Sequence, residues 1–452
     1  MINLWLAIIA VAASVAAAFL PVFRGIRIPI LAFLLAYGVT VVAGAGFLLD
    51  ESGQAQLRLH TSIFSAASFT TLGGGLYWAL LLAPLALLPV FALAGAKLCE
   101  LNPVAHLRMI VTELHVPNSL LYALLTVMAG FCFYKLWIAG ALDPSLLFDR
   151  STCLDAKTMR RAELIPLLGN RYYTLAHASI PVVSIMLLAK YVLTGNRYSL
   201  AGFVIGGLIV MWLDISMFMK APLVIFFGLI AATLIMCGKS VVRTIVITVP
   251  PAIAIFAAIS LGQYCKQYEQ ALLQRTNPKP TEQVVRGEPT AVAEPTALLN
   301  RIPLFVTALA RGAFFRMAQG YPFYVEVFSN PDERCGIEAP HVPLMPDQSC
   351  FPPIKIFGVM YPRIRNVVGY APAPVHVAAI AEAGPWYSLL AMMICGLTIG
   401  GLAAFSFGKK SIAGVAIGAI ACLYAYYVSQ SSLAGSLLDS YGLVARFTQI
   451  EG

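Results

Sequence analysis

The sequence predicts an all-α polytopic membrane protein with about ten or eleven transmembrane helices. Three observations predict this class: of 452 residues, 59% are hydrophobic, only 11% are charged, and the mean hydropathy is +0.81. A soluble domain of this size carries about a quarter charged residues. Apolar runs of about 20 residues recur along the chain and favour helices, because an open sheet or coil leaves backbone groups unsatisfied in lipid.

These apolar runs predict ten spans. Their ranges are 3–20, 28–48, 76–96, 119–139, 174–194, 198–218, 221–238, 242–262, 385–405 and 411–430. The first span lacks a basic leader and is interpreted as a retained helix. The moderately apolar tail, 431–447, is either an eleventh span or a surface helix.

Short basic loops predict the orientation of the chain. Loops after the first, third, fifth, seventh and ninth spans carry lysine and arginine, and such loops face the cytoplasm. The basic residues are Arg24, Arg27, Lys97, Arg108, Arg197, Lys239, Arg243, Lys409 and Lys410. Both termini are then expected outside. The loops also account for most of the net charge of +9, so nucleic-acid binding is not expected.

Two long outer loops, 140–173 and 263–384, divide the chain into three regions. Residues 1–262 hold eight helices and the first long loop. Residues 263–384 form the larger loop, which is expected to cap the membrane domain. Residues 385–452 hold the last helices and the tail.

An arginine-rich segment opens the structured part of the larger loop. From Asn300 to Gly320 the chain has three arginines and no acidic residue. The planar guanidinium group binds phosphate through two hydrogen bonds and stays charged where water is scarce. This pattern predicts a site for a lipid-linked pyrophosphate. The candidate ligands are Arg160, Arg161, Arg311, Arg316 and Lys220, with Arg171 and Arg301 as second choices. The alternative is that each contacts only solvent or lipid headgroups.

Charges within the spans are also candidates, because an ionisable group in lipid is costly and often functional. Asp214 is expected to pair with Lys220 or Lys135, and Lys190 is expected to extend its amine to the membrane surface. Residues 69–75, Phe-Thr-Thr-Leu-Gly-Gly-Gly, are interpreted as a glycine-rich turn entering the third span. A cation-transporter filter would need four copies of such a segment.

A base and a sugar-binding surface are further candidates. His376 and Glu382 are candidates for the base that takes a proton from an acceptor hydroxyl. Four outer tyrosines either stack on sugars or anchor the chain at the bilayer surface. They are Tyr172, Tyr173, Tyr321 and Tyr324.

Cys335 and Cys350 are expected to form a disulfide if their loop faces an oxidising compartment. The nine cysteines include no CxxC pair, so no metal site is predicted.

The layout resembles that of the Wzy-type O-antigen polymerases and, more loosely, the O-antigen ligases. Arg160-Arg161 with Gly169, and Arg311 with Gly320, are similar to the arginine and glycine motifs in that family's two periplasmic loops. The stretch Met217–Leu223 is similar to a family segment that opens a span with a lysine, here Lys220. The residues His376, Glu382 and Gly384 are similar to the histidine, acid and glycine pattern that precedes a late span in the family.

The resemblance implies a glycosyltransferase of the bacterial inner membrane with its active face in the periplasm. Its substrate would be an oligosaccharide linked to undecaprenyl pyrophosphate, and it would need no cofactor and no metal. A chain-length regulator and a flippase are the implied partners besides the lipid bilayer. An O-antigen ligase, a transporter or flippase of a lipid-linked saccharide, and a non-catalytic scaffold remain the alternatives.

Overall fold

The computed structural model describes most of the predicted membrane helices and parts of the outer loops. It covers residues 2–50, 69–101, 106, 116–143, 163–164, 167–169, 171–217, 219–263, 316–337, 350–360, 371–406 and 411–437. All regular secondary structure in these ranges is helical. Seven of the described helices are long and apolar enough to cross a membrane, so the chain has the architecture of a multi-pass membrane protein.

The first eight of the longer helices precede the larger loop. They are α1 (Ile2–Ala17), α2 (Arg27–Leu48), α3 (Gly75–Leu98), α4 (Asn118–Ile138), α5 (Arg171–Thr194), α6 (Arg197–Ser216), α7 (Ala221–Met236) and α8 (Val241–Gln263). Three helices lie in the larger loop: α9 (Arg316–Ser329), α10 (Pro352–Met360) and α11 (Val375–Ala383). Two follow it: α12 (Pro385–Ser406) and α13 (Ile412–Val428).

Each of the ten predicted spans coincides with one helix, α1 to α8, α12 or α13. The helices α1, α7 and α13 are shorter than the other seven. With 17 residues, α13 extends about 25 Å at 1.5 Å per residue. That these three helices also cross the bilayer stays a prediction.

Local sequence explains where several helices begin and end. Gly195 has φ +72° and ends α5, a conformation that glycine adopts without steric cost. One residue later, the side chain of Asn196 accepts a hydrogen bond from the backbone of Tyr198 and caps α6. Ser411 caps α13 in the same way through the backbone of Gly414. These caps produce a sharp reversal between α5 and α6.

The described helices pack in two groups, each with its own hydrophobic cluster. The first group contains α1, α2, α3 and α9 to α12. The second contains α4 to α8. Helix α13 lies between them and contributes to both clusters. Ala419 and Leu423 face the second cluster, whereas Ile420 and Tyr424 face the first, because residues four apart share one side of a helix.

The larger loop does not simply lie on the membrane helices as a cap. All residues of α11 from Val375 to Glu382 are buried. His376 in this helix reaches Tyr37, in the middle of α2. Helix α9 also packs against α2 and α11. In its described part, the loop therefore returns into the first helix group and becomes part of its core.

Candidate functional site

Side chains from three other helices lie against backbone carbonyls of α3 near Pro84. Pro84 lies inside α3 and has no N–H, so the helical hydrogen bond to the carbonyl of Leu80 is missing. The carbonyls of Tyr77 and Leu81 also accept side-chain hydrogen bonds. Together the carbonyls of Tyr77, Leu80 and Leu81 form what we call the carbonyl row.

His376 and Tyr37 bind the carbonyl row from α11 and α2. The Tyr37 hydroxyl donates to the Leu81 carbonyl at 2.9 Å and lies 3.3 Å from Nε2 of His376. The imidazole of His376 also lies beside the backbone of Leu80. The histidine is only 2% exposed, and a protonated ring in apolar surroundings is costly. In this arrangement His376 joins three helices, and it is not open to a substrate hydroxyl.

The tyrosines of α9 have similar structural contacts. Tyr321 donates to the Tyr77 carbonyl at 2.8 Å, and its ring packs edge to face on that of Tyr77. Tyr324 donates to the carbonyl of Ala371 at 2.8 Å. Both side chains are 1% exposed. Neither ring presents a face to a sugar or to the bilayer surface here, because both are enclosed in the first cluster.

Glu326 connects α9 to the glycine-rich turn before α3. Its carboxylate accepts four hydrogen bonds of 2.6–2.9 Å from the backbone N–H and hydroxyl groups of Thr70 and Thr71. Burial alone would raise the pKa of Glu326, but these hydrogen bonds outweigh it and hold the pKa below its ordinary value. The carboxylate therefore stays charged and holds the turn on α9.

A disulfide joins Cys335 and Cys350, with their Cα atoms 5.2 Å apart. The backbone N–H of Cys335 donates to the carbonyl of Ala381 at 2.9 Å, which attaches the disulfide to the end of α11. Beside it, Glu382 is 2% exposed. A base there would have to work inside the protein, not at an open surface.

Gly384 ends α11 with φ +94°. A Cβ atom at this position would lie 2.6 Å from Nη1 of Arg334. The guanidinium group of Arg334 thus lies directly across the glycine backbone. The positive φ favours glycine just before α12, whereas the arginine side chain could move away from a Cβ atom.

The second helix group contains a buried contact between a histidine and a carboxyl group within the predicted spans. Nδ1 of His177 lies 2.8 Å from Oδ1 of Asp214, and the two side chains are 1% and 0% exposed. Tyr173 packs beside the histidine, with ring centroids 5.6 Å apart. Tyr172 packs edge to face on Tyr173. Since both tyrosines are buried, they are core residues in this conformation, and they belong to a different cluster from Tyr321 and Tyr324.

The lysines predicted inside the spans have specific contacts. Nζ of Lys190 donates to the carbonyl of Val116 at 2.7 Å. Lys190 is 8% exposed, and its amine is bound to the segment before α4; that this segment lies at the membrane surface stays a prediction. The amine of Lys135 lies over the ring of Phe131, and that of Lys220 over the ring of Phe256. Asp214 therefore meets His177, and not Lys220 or Lys135 as the sequence predicts.

Most of the predicted phosphate ligands lie outside the described residues. These are Arg160, Arg161, Arg301 and Arg311. Arg171 is exposed at the first turn of α5. Lys220 precedes the first residue of α7. Arg316 is the first residue of α9.

The two arginine and glycine motifs differ at their glycines. Gly169 has φ +73° before α5, whereas Gly320 lies inside α9, where a Cβ atom would meet the Pro372 carbonyl at 3.6 Å. The first glycine adopts a left-handed backbone conformation, whereas the second is helical and has room for a Cβ atom at ordinary contact distance. The similarity of the two segments is therefore not a structural repeat at these positions.

Three residues of these contacts were missed from the sequence, and two of them had a local signal. His177 is an ionisable residue within a predicted span, one helical turn after Tyr173, and such residues are functional candidates by default. Glu326 is the only acidic residue of α9. Tyr37 had no local signal, because its partners are distant in the chain.

These features define a helical multi-pass membrane protein whose larger loop enters one of its two helix groups. Comparison of the chain with protein-family models gives no match. Comparisons with curated proteins and with solved structures also give none. Functional inference therefore rests on the residues and contacts of this chain.

Proposed function

We propose that this protein is a membrane glycosyltransferase that polymerises oligosaccharide units carried on undecaprenyl pyrophosphate at the outer face of the membrane. The leaving pyrophosphate accumulates negative charge as the bond to the anomeric carbon breaks. Arginines from the outer segments would bind that charge and align the donor with the acceptor hydroxyl.

The observation that carries this proposal is the position of α9. The segment from 300 to 315 contains Arg301 and Arg311 and leads directly into Arg316, where α9 begins. Helix α9 is held by Tyr321 on α3 and by Glu326 on the turn before α3. The arginine segment has no acidic residues, and its C-terminal end is therefore attached next to the start of α3.

The disulfide supports an outer location for this loop. Structural disulfides persist in oxidising compartments and are rare in the cytosol. The loop with Cys335 and Cys350 follows the arginine segment without an intervening predicted span. The same location follows from the basic loops of the opposite side.

Chain growth by the purified protein tests the proposal. Protein in liposomes receives undecaprenyl-pyrophosphate-linked repeat units, and product length is measured by gel electrophoresis. We expect Arg311→Ala to lower the rate of chain growth about 100-fold or more, the cost of losing one group that binds developing charge. Arg197→Ala is the matched control, because Arg197 is exposed at the start of α6 on the predicted cytoplasmic side.

The products distinguish the alternatives. Transfer of the glycan to lipid A core instead of chain growth would indicate a ligase. Movement of the lipid-linked unit across the bilayer without a new bond would indicate a flippase. Full chain growth by the Arg311→Ala protein would remove Arg311 from the site.

A further inference from the structure

Arg334 carries a positive charge that its neighbours do not neutralise. Its guanidinium group lies across the backbone of Gly384, where a Cβ atom would be 2.6 Å from Nη1. Among the described residues, its enclosed Nε atom has no hydrogen-bond acceptor. In the same part of the chain, neither Asp332 nor Glu382 forms an ion pair with the guanidinium group. A charged group partly removed from water is costly unless an opposite charge lies beside it.

Two other acidic side chains of this region have partners of their own. Glu333 pairs with Lys355 at 2.7 Å, and Glu326 accepts four hydrogen bonds from the glycine-rich turn before α3. Arg334 itself is partly exposed, and of its three side-chain nitrogens only Nε is both enclosed and unbonded. Its outer nitrogens, Nη1 and Nη2, are therefore accessible to an anion from outside the protein.

The guanidinium group lies where α12 enters the predicted span 385–405. Gly384 immediately precedes Pro385, the first residue of α12. Trp386, in the first turn, is 84% exposed, and exposed tryptophans are typical of the level of the lipid headgroups. The start of a helix also carries partial positive charge, which favours an anion. Arg334 thus lies at the depth where lipid phosphates are found.

The backbone on both sides of Arg334 is held in place. The N–H of Arg334 donates to the carbonyl of Pro331 at 3.3 Å, and the side chain of Asn330 caps that turn. The next residue, Cys335, donates to the carbonyl of Ala381 at 2.9 Å and is joined to the loop by its disulfide. A ligand that binds Arg334 therefore has little backbone to order, which favours affinity.

We propose that Arg334 binds a phosphate group of a membrane lipid at the start of α12. The planar guanidinium group donates two parallel hydrogen bonds to phosphate and stays charged where water is scarce. Nη1 and Nη2 are the donors, because Nε is enclosed. Two lipids carry this chemistry: an isoprenoid pyrophosphate, as in the donor of the proposed function, and an anionic phospholipid. The inference goes beyond the proposed function, because binding requires no glycosyl transfer.

Lipid binding to the full-length protein tests this site. Native mass spectrometry in detergent counts bound lipids by their mass, with undecaprenyl pyrophosphate, phosphatidylglycerol and phosphatidylcholine as the probes. We expect Arg334→Gln to weaken the binding of at least one of the two anionic lipids about 10-fold or more, the effect of losing charge-assisted hydrogen bonds. Binding of phosphatidylcholine, which has no net charge, should be unchanged.

Lys355→Gln is the matched control. It removes a positive charge from the same loop, but this amine is already paired with Glu333, so both anionic lipids should bind nearly as they do to wild type. Arg334→Lys keeps the charge and loses the planar fork, and it should weaken binding by a smaller factor than Arg334→Gln. If Arg334→Gln does not fold, Arg334→Lys provides the comparison.

The pattern of losses identifies the lipid. Weaker binding of undecaprenyl pyrophosphate alone assigns Arg334 to the donor, whereas weaker binding of phosphatidylglycerol assigns it to phospholipid headgroups. Unchanged affinities in the Arg334 variants, or an equal loss in Lys355→Gln, would overturn the proposal. So would a wild-type protein that binds neither anionic lipid. If wild type binds lipid through Arg334 but makes no glycan, the proposed function fails and this site stands.

Discussion

At the scale of single residues, polar side chains of the first helix group bind backbone carbonyls. Tyr37 and Tyr321 donate to the carbonyls of Leu81 and Tyr77 of α3. His376 lies beside the backbone of Leu80, where Pro84 leaves the carbonyl without its helical donor. Removing one of these tyrosine hydroxyls loses a buried hydrogen bond, a cost of about 0.5–1.5 kcal/mol. These contacts explain why the larger loop is attached to the membrane helices and does not lie loosely over them.

The contact of Glu326 with Thr70 and Thr71 predicts a pH-dependent stability. Its pKa lies below the ordinary value of 4.5, so its contribution is present above that pH and is lost as the pH falls through the folded-state pKa. We expect Glu326→Gln to lower the unfolding temperature in detergent at neutral pH, because the amide turns one acceptor into a donor. The difference from wild type should shrink as the pH falls below 4.5 and through the lowered pKa of Glu326, because the wild-type side chain then becomes neutral as well.

Glu333→Gln is the control for this measurement. Glu333 pairs with Lys355 at 2.7 Å with its side chain 49% exposed, and surface pairs contribute little. The unfolding temperature of the Glu333→Gln protein should stay close to that of wild type. If the unfolding temperatures of Glu326→Gln and wild type differ more as the pH falls, charged Glu326 does not stabilise the turn.

At the scale of helices, α3 and α12 cross at unusually short range. Cβ atoms at Gly95 and Gly400 would overlap the backbone carbonyls of Leu397 and Ala92, and one at Gly396 would lie 3.0 Å from the carbonyl of Leu88. Small residues permit such contact between membrane helices, where lipid provides no hydrophobic driving force for association. Helix α11 lies next to this pair, so the crossing also positions His376.

Replacement of Gly400 tests the crossing of α3 and α12. We expect Gly400→Ala to lower the free energy of unfolding by about 1–3 kcal/mol, because the added methyl group forces the helices apart. Gly130→Ala in α4 is the matched control, since a Cβ atom there meets nothing within 4 Å. Unfolding in detergent, followed by circular dichroism, measures both. Equal effects at the two glycines would argue against a close crossing.

At the scale of the whole molecule, segments predicted to lie on one side of the membrane are in contact. Asn3 at the start of α1 meets Asp50 after α2. Thr70 before α3 meets Glu326. At the opposite ends, Lys190 near the end of α5 meets Val116 before α4. The alternation of the predicted spans therefore agrees with the packing, whereas the compartment on each side stays a prediction.

Cysteine labelling determines which compartment each side faces. We expect a membrane-impermeant maleimide to label Asp332→Cys in right-side-out vesicles and Ser240→Cys only in inverted vesicles, because both positions are exposed and lie on opposite predicted sides. The unsubstituted protein controls for its native thiols. The reverse labelling pattern would place the arginine segment in the cytoplasm and contradict the proposed function.

Much of the helical layout was predictable, because the local hydropathy of a segment determines whether it suits lipid. Each predicted span from 3–20 to 411–430 coincides with a helix of similar bounds. The candidate site was less predictable. Cys335 and Cys350 are close in sequence and lie in one polar loop, so their pairing was foreseeable. The roles of His376, Tyr321 and Tyr324 were not, because their burial depends on how the larger loop returns to α2 and α3.

By itself, the sequence determined the class of the protein, the positions of its helices and the presence of an arginine segment without acidic residues. Only the tertiary structure decided which polar group meets which: Tyr37 with His376, Tyr321 with Tyr77 and His177 with Asp214. The physical reason is range. Hydropathy acts on neighbouring residues of a segment, whereas each buried hydrogen bond or ion pair depends on the packing of helices distant along the chain.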